Sequence, residues 1–506
     1  MKKNKAPNST QFVIFGGSGD LSRAKLIPAL FKLSVRDILP RQFSLIALDR
    51  QHENRKDFID DLENSLPETL PEVFTREEWK NFKSNIDYLK LDFNQEAGYR
   101  RLQERLNEIE TASELPSKRV FYLATSPKFF PVIATGLQKS GLNNTTQPGW
   151  PRLVIEKPFG HDLNTACEYN DRITDIYPEE NIYRIDHYLG KAMIQNILTM
   201  RFANMFFEPI WNKNYIDNIQ IISTERMGIK NRGKYYDRAG ALLDMVQSHL
   251  LQMLALIAME PPADMSTASI RQEKIKVLCS LPELGPENVE ENVVLGQYSG
   301  RKEGQEYIKG YQEEDNVRPD SSTETFAAIK LNIDNLRWQG VPFYLKTGKR
   351  LQTKNTKIFV QFKTDFHPSL RGADSPEANL LIIKVQPREG VSLQFNAKEP
   401  GSQDKIAPVF MDFCQEAPRE LKETPAAYEE LLAGLFRGDQ SLFTHWQGVK
   451  NSWQFIDSLR KSAEKIDLTP EKYEAGSRGP EAAKNLIQSE SRIWWDRKNI
   501  NRHSPV

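Results

Sequence analysis

Short apolar runs alternate with amphipathic helical patterns over the first 186 residues of this 506-residue chain. A short apolar run predicts a buried strand, and amphipathic stretches between such strands predict crossover helices. The alternation therefore predicts a parallel sheet with crossover helices. The predicted strands have the sequences QFVIF, FSLIAL, RVFYLAT, RLVIE and NIYRI.

The pattern changes beyond about Asn218. There the predicted strands alternate apolar and polar residues, as in antiparallel sheets with one covered face. We therefore predict an α/β region followed by a larger α+β region with a mainly antiparallel sheet, and a boundary between residues 188 and 217. The alternating strands are TFAAIKLNI, KIFVQFK, NLLIIKVQP and VSLQFNAK; helices are predicted at 239–259, 426–436 and 449–462, and loops at 303–322 and 415–424.

The composition excludes several classes of protein. Lysine plus arginine equals aspartate plus glutamate at 68 each, which removes any global electrostatic case for binding nucleic acid or an acidic membrane. Three distant cysteines, Cys167, Cys279 and Cys414, fit a reducing compartment and are expected to be buried and inert; neither a disulfide framework nor a metal site is predicted. No segment approaches the ~20 apolar residues that span a bilayer. We expect a soluble, cytoplasmic protein of two domains.

A glycine-rich turn follows the first predicted strand. Gly16, Gly17 and Gly19 would let the backbone approach a pyrophosphate, and the helix predicted from Leu21 would supply N–H donors. The spacing is G-x-x-G rather than the full dinucleotide fingerprint, and such a turn is purely structural in roughly half of cases. Its position at the start of an alternating α/β region favours a dinucleotide site.

The second predicted strand ends at Asp49 and Arg50, where folds of this kind bind the adenosine ribose. Arg50 suits the 2′-phosphate of NADP, whereas Asp49 suits the free ribose hydroxyls of NAD. We predict NADP as the coenzyme, with NAD as a secondary coenzyme.

The octapeptide RIDHYLGK, residues 184–191, places an acid, an imidazole and two cations at a predicted strand-to-helix junction. If a helix begins at His187, then Asp186 is its N-cap, and His187 and Lys191 share one face. Backbone N–H groups at a helix start, with a lysine and a histidine beside them, suit a phosphate. For this octapeptide alone, a purely capping Asp186 beside a solvated Lys191 is an equally good interpretation.

Six motifs, present in this order, resemble those of the glucose-6-phosphate dehydrogenase family: GGSGDLSRAK, LDRQ, EKPFG, RIDHYLGK, GALLDMVQSHLLQ and RWQGVPFYLKTGKRL. The resemblance extends over nearly the whole chain. It implies a Rossmann-type coenzyme domain and a larger β+α domain whose antiparallel sheet helps to form a homodimer or a dimer of dimers. It also implies NADP-dependent oxidation of β-D-glucose 6-phosphate to 6-phospho-D-glucono-1,5-lactone, the first oxidative step of the pentose phosphate pathway.

On this basis we predict three regions: a flexible arm at 1–10, an NADP-binding domain at 11–190, and a substrate and dimerisation domain at 191–506. No nucleic acid, membrane or metal is expected as a partner. Some relatives hold a second, structural NADP through basic residues, but Asn355 stands where one of these is expected. We therefore do not predict that second site.

The resemblance also implies roles for individual residues. It makes His249 the general base and Asp186 the acid that orients it. The implied substrate ligands are Lys157, His187, Tyr188, Lys191, Glu225, Asp244, Lys349 and Lys354. The implied coenzyme ligands are Gly16, Gly17, Ser18, Gly19, Asp20, Leu21, Lys25, Arg50 and Lys157, and the bond from Lys157 to Pro158 is one that the family often makes cis.

These residue types suit the implied chemistry. Oxidation at the anomeric carbon requires the attached hydroxyl to lose its proton, and an imidazole with a pKa of about 6.5 accepts it near neutral pH. An acid on the far ring nitrogen would fix the tautomer. An α-helix, however, would place Asp244 and His249 about 140° apart, because it turns ~100° per residue. Contact of both with one sugar then requires a bend or a broad helix face.

Other interpretations stay open at this point. Without the resemblance, His249 would more often be a hydrogen-bonded core histidine, and Lys349 and Lys354 would be ordinary surface lysines. An alternative for Glu225 is pairing with Arg226 or Lys230 across a turn. The alternatives for the whole chain are an NAD(P)-dependent dehydrogenase of another sugar and a catalytically silent nucleotide-binding protein.

Overall fold

The computed structural model describes residues 9–113, 118–144, 150–364, 367, 376–402, 405–414 and 425–497. The chain forms two compact units. The first contains Met1–Ala192, Asp264–Arg271 and Pro425–Lys450, and the second contains Met193–Ala263, Gln272–Thr424 and Asn451–Val506. The predicted domains, 11–190 and 191–506, differ from this division, because two later segments of the chain belong to the first unit.

The first unit contains one seven-stranded sheet. Its strands are β1 (Ser9–Phe15), β2 (Gln42–Asp49), β3 (Ile86–Lys90), β4 (Lys118–Leu123), β5 (Arg152–Ile155), β6 (Ile182–Ile185) and β17 (Phe443–Thr444). The order is β17-β6-β5-β4-β1-β2-β3, and strands β1 to β6 are all parallel. The order 3-2-1-4-5-6 is that of the Rossmann fold, which confirms the predicted fold class.

Both faces of this sheet are covered by helices: α1 (Ile27–Val35), α2 (Arg55–Thr69), α3 (Arg76–Ser84), α4 (Glu96–Ser113), α5 (Phe130–Lys139), α6 (Leu163–Thr174) and α12 (Ala427–Arg437). Strand β1 is buried along its whole length. Phe12 and Ile14 belong to a core that includes residues of α1 and α12, whereas Val13 and Phe15 belong to a second core with residues of α4 and α5. Successive side chains of a strand point to opposite faces, which explains why the run had to be apolar throughout.

Segment 425–450 joins the first unit through two elements. Helix α12 supplies apolar residues to the core around Phe12, and β17 pairs antiparallel with β6 at the sheet edge. The predicted flexible arm ends earlier than expected, because Ser9 and Thr10 are buried in β1. Residues 1–8 lie outside the described part of the chain.

The second unit is built around a nine-stranded sheet with the order β16-β15-β14-β13-β7-β12-β11-β8-β18. Its strands are β7 (Ile216–Thr224), β8 (Val293–Ser299), β11 (Phe326–Leu331), β12 (Phe343–Gly348), β13 (Asn355–Phe362), β14 (Leu380–Gln386), β15 (Gly390–Lys398), β16 (Ile406–Cys414) and β18 (Glu471–Glu474). Only the β7–β12 and β8–β18 pairings are parallel among these described strands. The predicted mainly antiparallel sheet is therefore confirmed. The four predicted alternating strands correspond to β11, β13, β14 and β15.

The remaining α-helices among the described residues are α7 (Ala192–Phe202), α8 (Gly233–Ala241), α9 (Leu251–Ala258), α10 (Thr267–Cys279), α11 (Pro286–Asn292), α13 (Trp446–Lys465) and α14 (Glu481–Gln488). The predicted loop at 303–322 is partly wrong, since it overlaps a hairpin of β9 (Arg301–Glu303) and β10 (Glu306–Ile308). The predicted loop at 415–424 lies outside the described residues.

Two expectations from composition need correction. The helical stretch Lys230–Ala258 has a window of mean hydropathy 1.5, so one segment is long and apolar enough to cross a membrane. That window is 89% buried inside the protein, which is typical of a core helix. Of the cysteines expected to be buried, Cys279 is exposed and Cys167 is half-buried, and the side chain of Cys414 is outside those described.

Candidate active site

The glycine turn, residues 16–21, connects β1 to the first helix and lies against the end of β2. Gly16 N–H and Gly17 N–H both donate to Leu48 O, at 2.7 and 3.1 Å. Gly16 has φ +93°, and a Cβ on Gly17 would lie 2.6 Å from the Cβ of Ala47. A side chain at either position would strain the backbone or displace the turn from the sheet.

The turn lies at the point where the strand order reverses, between β1 and β4. A Cβ on Gly16 would meet the carbonyl oxygen of Ala124, directly after β4, at 2.5 Å. In open α/β sheets, ligands bind outside the carboxyl ends of the strands at this switch point. Asp20 and Lys25 are exposed in the following helical segment, and Leu21 is half-buried. The turn therefore fits the place and shape that a dinucleotide pyrophosphate needs.

Asp49, the last residue of β2, is only 8% exposed, and its carboxylate holds the glycine turn. Its Oδ2 accepts from Ser18 N–H at 2.6 Å, and its Oδ1 accepts from Gln51 N–H and Tyr88 O–H, both at 2.8 Å. Burial alone would raise the pKa of Asp49, but the hydrogen bonds from Ser18, Gln51 and Tyr88 outweigh burial and lower it. The carboxylate is thus ionised at neutral pH and occupied by protein donors.

Arg50 follows Asp49 and presents its charge to solvent. Its side chain is 70% exposed, and its guanidinium lies 3.5 Å from the Asp92 carboxylate. An exposed guanidinium that lies 3.5 Å from a carboxylate remains able to turn toward a phosphate.

The RIDHYLGK segment does not start a helix at His187, so the prediction that Asp186 is a helix N-cap is wrong. Helix α7 begins at Ala192, and Asp186 instead closes a turn: its Oδ1 accepts from Tyr188 N–H at 2.9 Å, and its carbonyl accepts from Leu189 N–H at 3.0 Å. His187 and Lys191 are therefore neighbours in a turn rather than on a helix face.

Packing within the first unit explains this turn. A Cβ on Gly190 would collide with the carbonyl oxygen of Ala427 in α12, so only glycine fits there. Lys191 Nζ lies 3.9 Å from the centre of the Tyr188 ring, and the His187 ring centre lies 5.0 Å from that of Tyr188. The three predicted phosphate ligands of this segment therefore form one local cluster.

The EKPFG segment contains a buried carboxyl group beside Lys157. The Glu156 carboxyl accepts from Tyr122 O–H at 2.5 Å and from Tyr428 O–H at 3.0 Å. Burial raises its pKa to about 7, although the two tyrosines and Lys157 lower it. Lys157 is half-buried, and its peptide bond to Pro158 is cis.

In the second unit, three of the predicted substrate ligands form a charged cluster, which we call the carboxylate cluster: Glu225, Asp244 and Lys349. Glu225 and Lys349 directly follow the ends of β7 and β12, which are parallel neighbours. Lys349 Nζ lies 2.5 Å from Glu225 Oε2 and 3.4 Å from Asp244 Oδ2. The alternative pairing of Glu225 across a turn is wrong.

Two residues near this cluster were not predicted. The Arg232 guanidinium lies 3.7 Å from Asp244 Oδ1, and Tyr235 hydrogen-bonds to Asp244. Burial and the nearby Asp244 charge raise the pKa of Tyr235, so its hydroxyl stays protonated. Both residues precede Asp244 in the same helical stretch. Their spacing in the sequence does not indicate that they lie next to Asp244.

His249 and Asp244 lie in a π-helical segment, Leu242–Leu250, rather than in an α-helix. Hydrogen bonds in a π-helix join residues i and i+5, so residues five apart lie nearly above one another. Asp244 and His249 are five residues apart and therefore share one face of the helix. The 140° separation expected for an α-helix is wrong, and both side chains are buried, at 4% and 1% exposed.

A break at Gly240 precedes this π-helical segment. Gly240 has φ +60° and ψ −174°, and a Cβ there would collide with the carboxylate of Glu324. Glu324 Oε1 accepts from Leu242 N–H at 3.0 Å, and the Glu324 carbonyl accepts from Ala241 N–H at 3.0 Å. Glu324 thus caps the helix that restarts after Gly240.

The predicted site residues are divided between the units. Asp186 and the glycine turn belong to the first unit, and His249 and the carboxylate cluster belong to the second. Lys354 is exposed directly before β13. The pairing of Asp186 with His249, and the role of each residue toward a ligand, stay predictions.

Family models match nearly the whole chain. A model described as the NAD binding domain of glucose-6-phosphate dehydrogenase matches residues 13–196, and one described as the C-terminal domain of the same enzyme matches residues 198–495.

Similar proteins carry the same name. The chain is 43% identical to glucose-6-phosphate 1-dehydrogenase of Bacillus subtilis (strain 168), over 98% of this chain and 100% of that protein. It is also 43% identical to the enzyme of that name from Aggregatibacter actinomycetemcomitans, over 95% of this chain and 96% of the relative.

Solved structures give the same result. A glucose-6-phosphate dehydrogenase in complex with its substrate glucose-6-phosphate superposes with a TM-score of 0.88 at 32% identity, covering 97% of this chain and 99% of the other. The enzyme from Mycobacterium avium superposes with a TM-score of 0.83 at 31% identity, with the same coverage.

Proposed function

This chain belongs to the glucose-6-phosphate dehydrogenase family, and from that premise we propose that it oxidises β-D-glucose 6-phosphate to 6-phospho-D-glucono-1,5-lactone with NADP as the coenzyme. The observation that carries this proposal is the π-helical segment. It brings His249 onto the same helix face as Asp244, whose carboxylate lies next to Lys349. A proton acceptor and groups suited to sugar hydroxyls thus share one face.

His249 is the base of the proposed reaction. A neutral imidazole nitrogen accepts the proton of the anomeric hydroxyl while the C1 hydrogen leaves with its electron pair. Asp186 accepts a hydrogen bond from the other ring nitrogen, which holds the required tautomer and stabilises the imidazolium that forms. When bound, NADP supplies the hydride acceptor.

Two groups of residues hold the sugar phosphate. His187, Tyr188 and Lys191, clustered in one turn, bind the phosphate, with Lys157 and Lys354 as further cationic ligands. Glu225, Asp244 and Lys349 bind sugar hydroxyls, since two acceptors flank one donor there. Binding energy from the distant phosphate positions the anomeric carbon for the reaction.

The coenzyme site of this proposal is the glycine turn. Its residues are Gly16, Gly17, Ser18, Gly19, Asp20 and Leu21, and they approach the pyrophosphate through the backbone. Arg50 binds the 2′-phosphate, which is supported by its 70% exposure at the end of β2. Lys25 and Lys157 lie toward the nicotinamide end.

We also propose that the enzyme is cytoplasmic, catalyses the first oxidative step of the pentose phosphate pathway, and works as a homodimer or a dimer of dimers. Strand β16 is the described edge of the nine-stranded sheet, and Met411 and Phe413 on it are 63% and 57% exposed. Phe395 of β15 shares that face. An apolar edge strand of this kind supports pairing with a second copy.

The test is a comparison of initial rates, followed by the absorbance of the reduced nicotinamide. Glucose 6-phosphate should be used on the order of 10²-fold or more efficiently than glucose, because the phosphate ligands remain unpaired with the neutral sugar. NADP should be preferred to NAD. Equal use of glucose and glucose 6-phosphate would favour a dehydrogenase of another sugar, and no turnover with either would favour a silent nucleotide-binding protein.

A further inference from the structure

Asp49 occupies the position from which an acid binds the ribose hydroxyls of NAD in many dinucleotide-binding folds. Here each of its carboxylate oxygens already accepts a hydrogen bond from the protein. Oδ2 accepts from Ser18 N–H, and Oδ1 accepts from Gln51 N–H and Tyr88 O–H. A bond from Asp49 to a ribose hydroxyl would have to compete with these donors in a site that is 8% exposed.

Two of the donors are backbone N–H groups, so they cannot turn away without moving the chain. Ser18 lies in the middle of the glycine turn, which Leu48 already holds through its carbonyl oxygen. Asp49 therefore adds a second attachment between the end of β2 and the turn, one residue further along each segment. The position of the turn relative to β2 depends on both.

The bond from Gln51 N–H closes a turn around Arg50. Asp side chains commonly accept from the backbone two residues ahead and fix the chain between. Tyr88 of β3 completes the arrangement, because its hydroxyl lies 2.8 Å from Asp49 Oδ1 and 2.9 Å from the carbonyl oxygen of His52, and the two acceptors share its one proton. The backbone on either side of Arg50 is thus held.

We propose that Asp49 is a positioning residue that fixes the glycine turn and presents Arg50, and that it does not bind the ribose. Coenzyme preference in this chain is then set by Arg50, and Asp49 supports NADP rather than NAD. This inference rests on the proposed function only in taking NADP and NAD as the ligands.

The experiment measures dissociation constants of NADPH and NADH by fluorescence titration of the full chain without sugar phosphate. Four variants are compared with the unaltered chain: Asp49→Ala, Asp49→Asn, Tyr88→Phe and Arg50→Ala. Asparagine keeps one acceptor oxygen but turns an amide donor toward either Ser18 N–H or the donors Gln51 and Tyr88. Tyr88→Phe removes one donor while leaving both backbone bonds. Thermal melting shows whether each variant is folded.

Asp49→Ala should weaken the binding of NADPH by about tenfold and the binding of NADH by at least a few-fold. The losses should be smaller for Asp49→Asn and smallest for Tyr88→Phe. The ratio of NADPH to NADH affinity should fall, because Arg50 loses its fixed position. Steady-state assays should show higher coenzyme KM values with the KM of the sugar phosphate unchanged, which a general loss of stability would not produce.

Two results would overturn the proposal. A rise in the NADPH to NADH ratio on Asp49→Ala or Asp49→Asn would mean that Asp49 binds the NAD ribose, and unchanged coenzyme binding would mean that it positions nothing. Failure of the unaltered chain to bind either coenzyme would count equally against it. Intact coenzyme binding without oxidation of glucose 6-phosphate would instead contradict only the proposed function.

Discussion

Two buried aspartates, Asp49 in the first unit and Asp244 in the second, have comparable burial but different partners. Asp49 accepts from backbone N–H groups and a tyrosine hydroxyl at 2.6 to 2.8 Å. Asp244 faces the cations of Lys349 and Arg232 at 3.4 and 3.7 Å. Backbone donors belong to the fold, whereas long cationic side chains can exchange one partner for another.

The difference teaches that the partners of a buried carboxylate are more informative than its burial. Asp49 belongs to the scaffold that shapes the glycine turn. Asp244 belongs to a cluster of ion pairs, which under the proposed function rearrange when sugar hydroxyls replace them. Substitutions in the first region should therefore change coenzyme binding, and those in the second should change sugar binding and turnover.

The largest expected effect is that of His249→Asn in the second region. Turnover should fall on the order of 10²- to 10⁴-fold because the base is lost, while the affinity for glucose 6-phosphate and coenzyme stays close to normal. Ser248→Ala is the matched control, since its hydroxyl bonds back to the Asp244 carbonyl at 3.4 Å. Near-normal turnover of His249→Asn would show that His249 is not the base.

Lys349→Met should raise the KM for glucose 6-phosphate on the order of 10²-fold without changing the KM of NADP, because Glu225 and Asp244 lose their shared cation. Lys346→Met is the control: Lys346 is also buried and lies three residues before Lys349, in β12, but it pairs with Asp496. If both variants raised the KM alike, the carboxylate cluster would have no special role in sugar binding.

Arg50→Ala sharpens the first half of the comparison. We expect NADP binding to weaken on the order of 10- to 100-fold with NAD binding little affected, because a guanidinium that binds a phosphate contributes roughly 1.5–3 kcal/mol. Arg55→Ala serves as a control, since Arg55 bonds to the carbonyls of Ile86 and Lys83 instead. Equal weakening of both coenzymes would show that Arg50 does not bind the 2′-phosphate.

The smallest effect concerns the pH dependence of stability at Glu156. Its pKa is raised by burial from 4.5 to about 7, so the folded chain binds more protons than the unfolded chain between these values. The stability from this group is complete below pH 4.5 and is lost as the pH rises through 7. Glutamine does not ionise, so the Glu156→Gln variant does not lose stability in this way as the pH rises.

The melting temperature of Glu156→Gln should therefore gain a few degrees relative to the unaltered chain between pH 5 and pH 8. Glu430→Gln should show a gain in the same direction, because burial raises the pKa of Glu430 as well, away from the tyrosine pair. The raised pKa would be contradicted if the melting temperatures of Glu156→Gln and the unaltered chain differed by the same amount at every pH.

Local patterns were enough to predict much of the first unit. The apolar run of β1, the glycine turn and the strand ending at Asp49 are each formed by one continuous stretch of sequence. Their structure follows from residue types at fixed spacing. The return of residues 425–450 was not predictable, because the pairing of β17 with β6 joins positions some 260 residues apart.

The misjudged features depend on tertiary contacts. The π-helical segment follows a break at Gly240 that is stabilised by Glu324, a residue distant in sequence that lies just before β11. The apolar pattern therefore indicated only a regular helix. The turn at Asp186 replaces a helix start because Gly190 packs closely against α12. Asp49 was ambiguous because one of its donors, Tyr88, lies 39 residues further along the chain.

A double-mutant cycle on His249→Asn and Asp186→Asn tests the central claim most directly, namely that these two residues act as one proton-accepting unit. Residues that act as a unit show strongly non-additive losses. We predict that the double variant turns over glucose 6-phosphate within about threefold of His249→Asn alone. Losses that multiply, so that the double variant is slower by the product of the two single effects, would contradict the account.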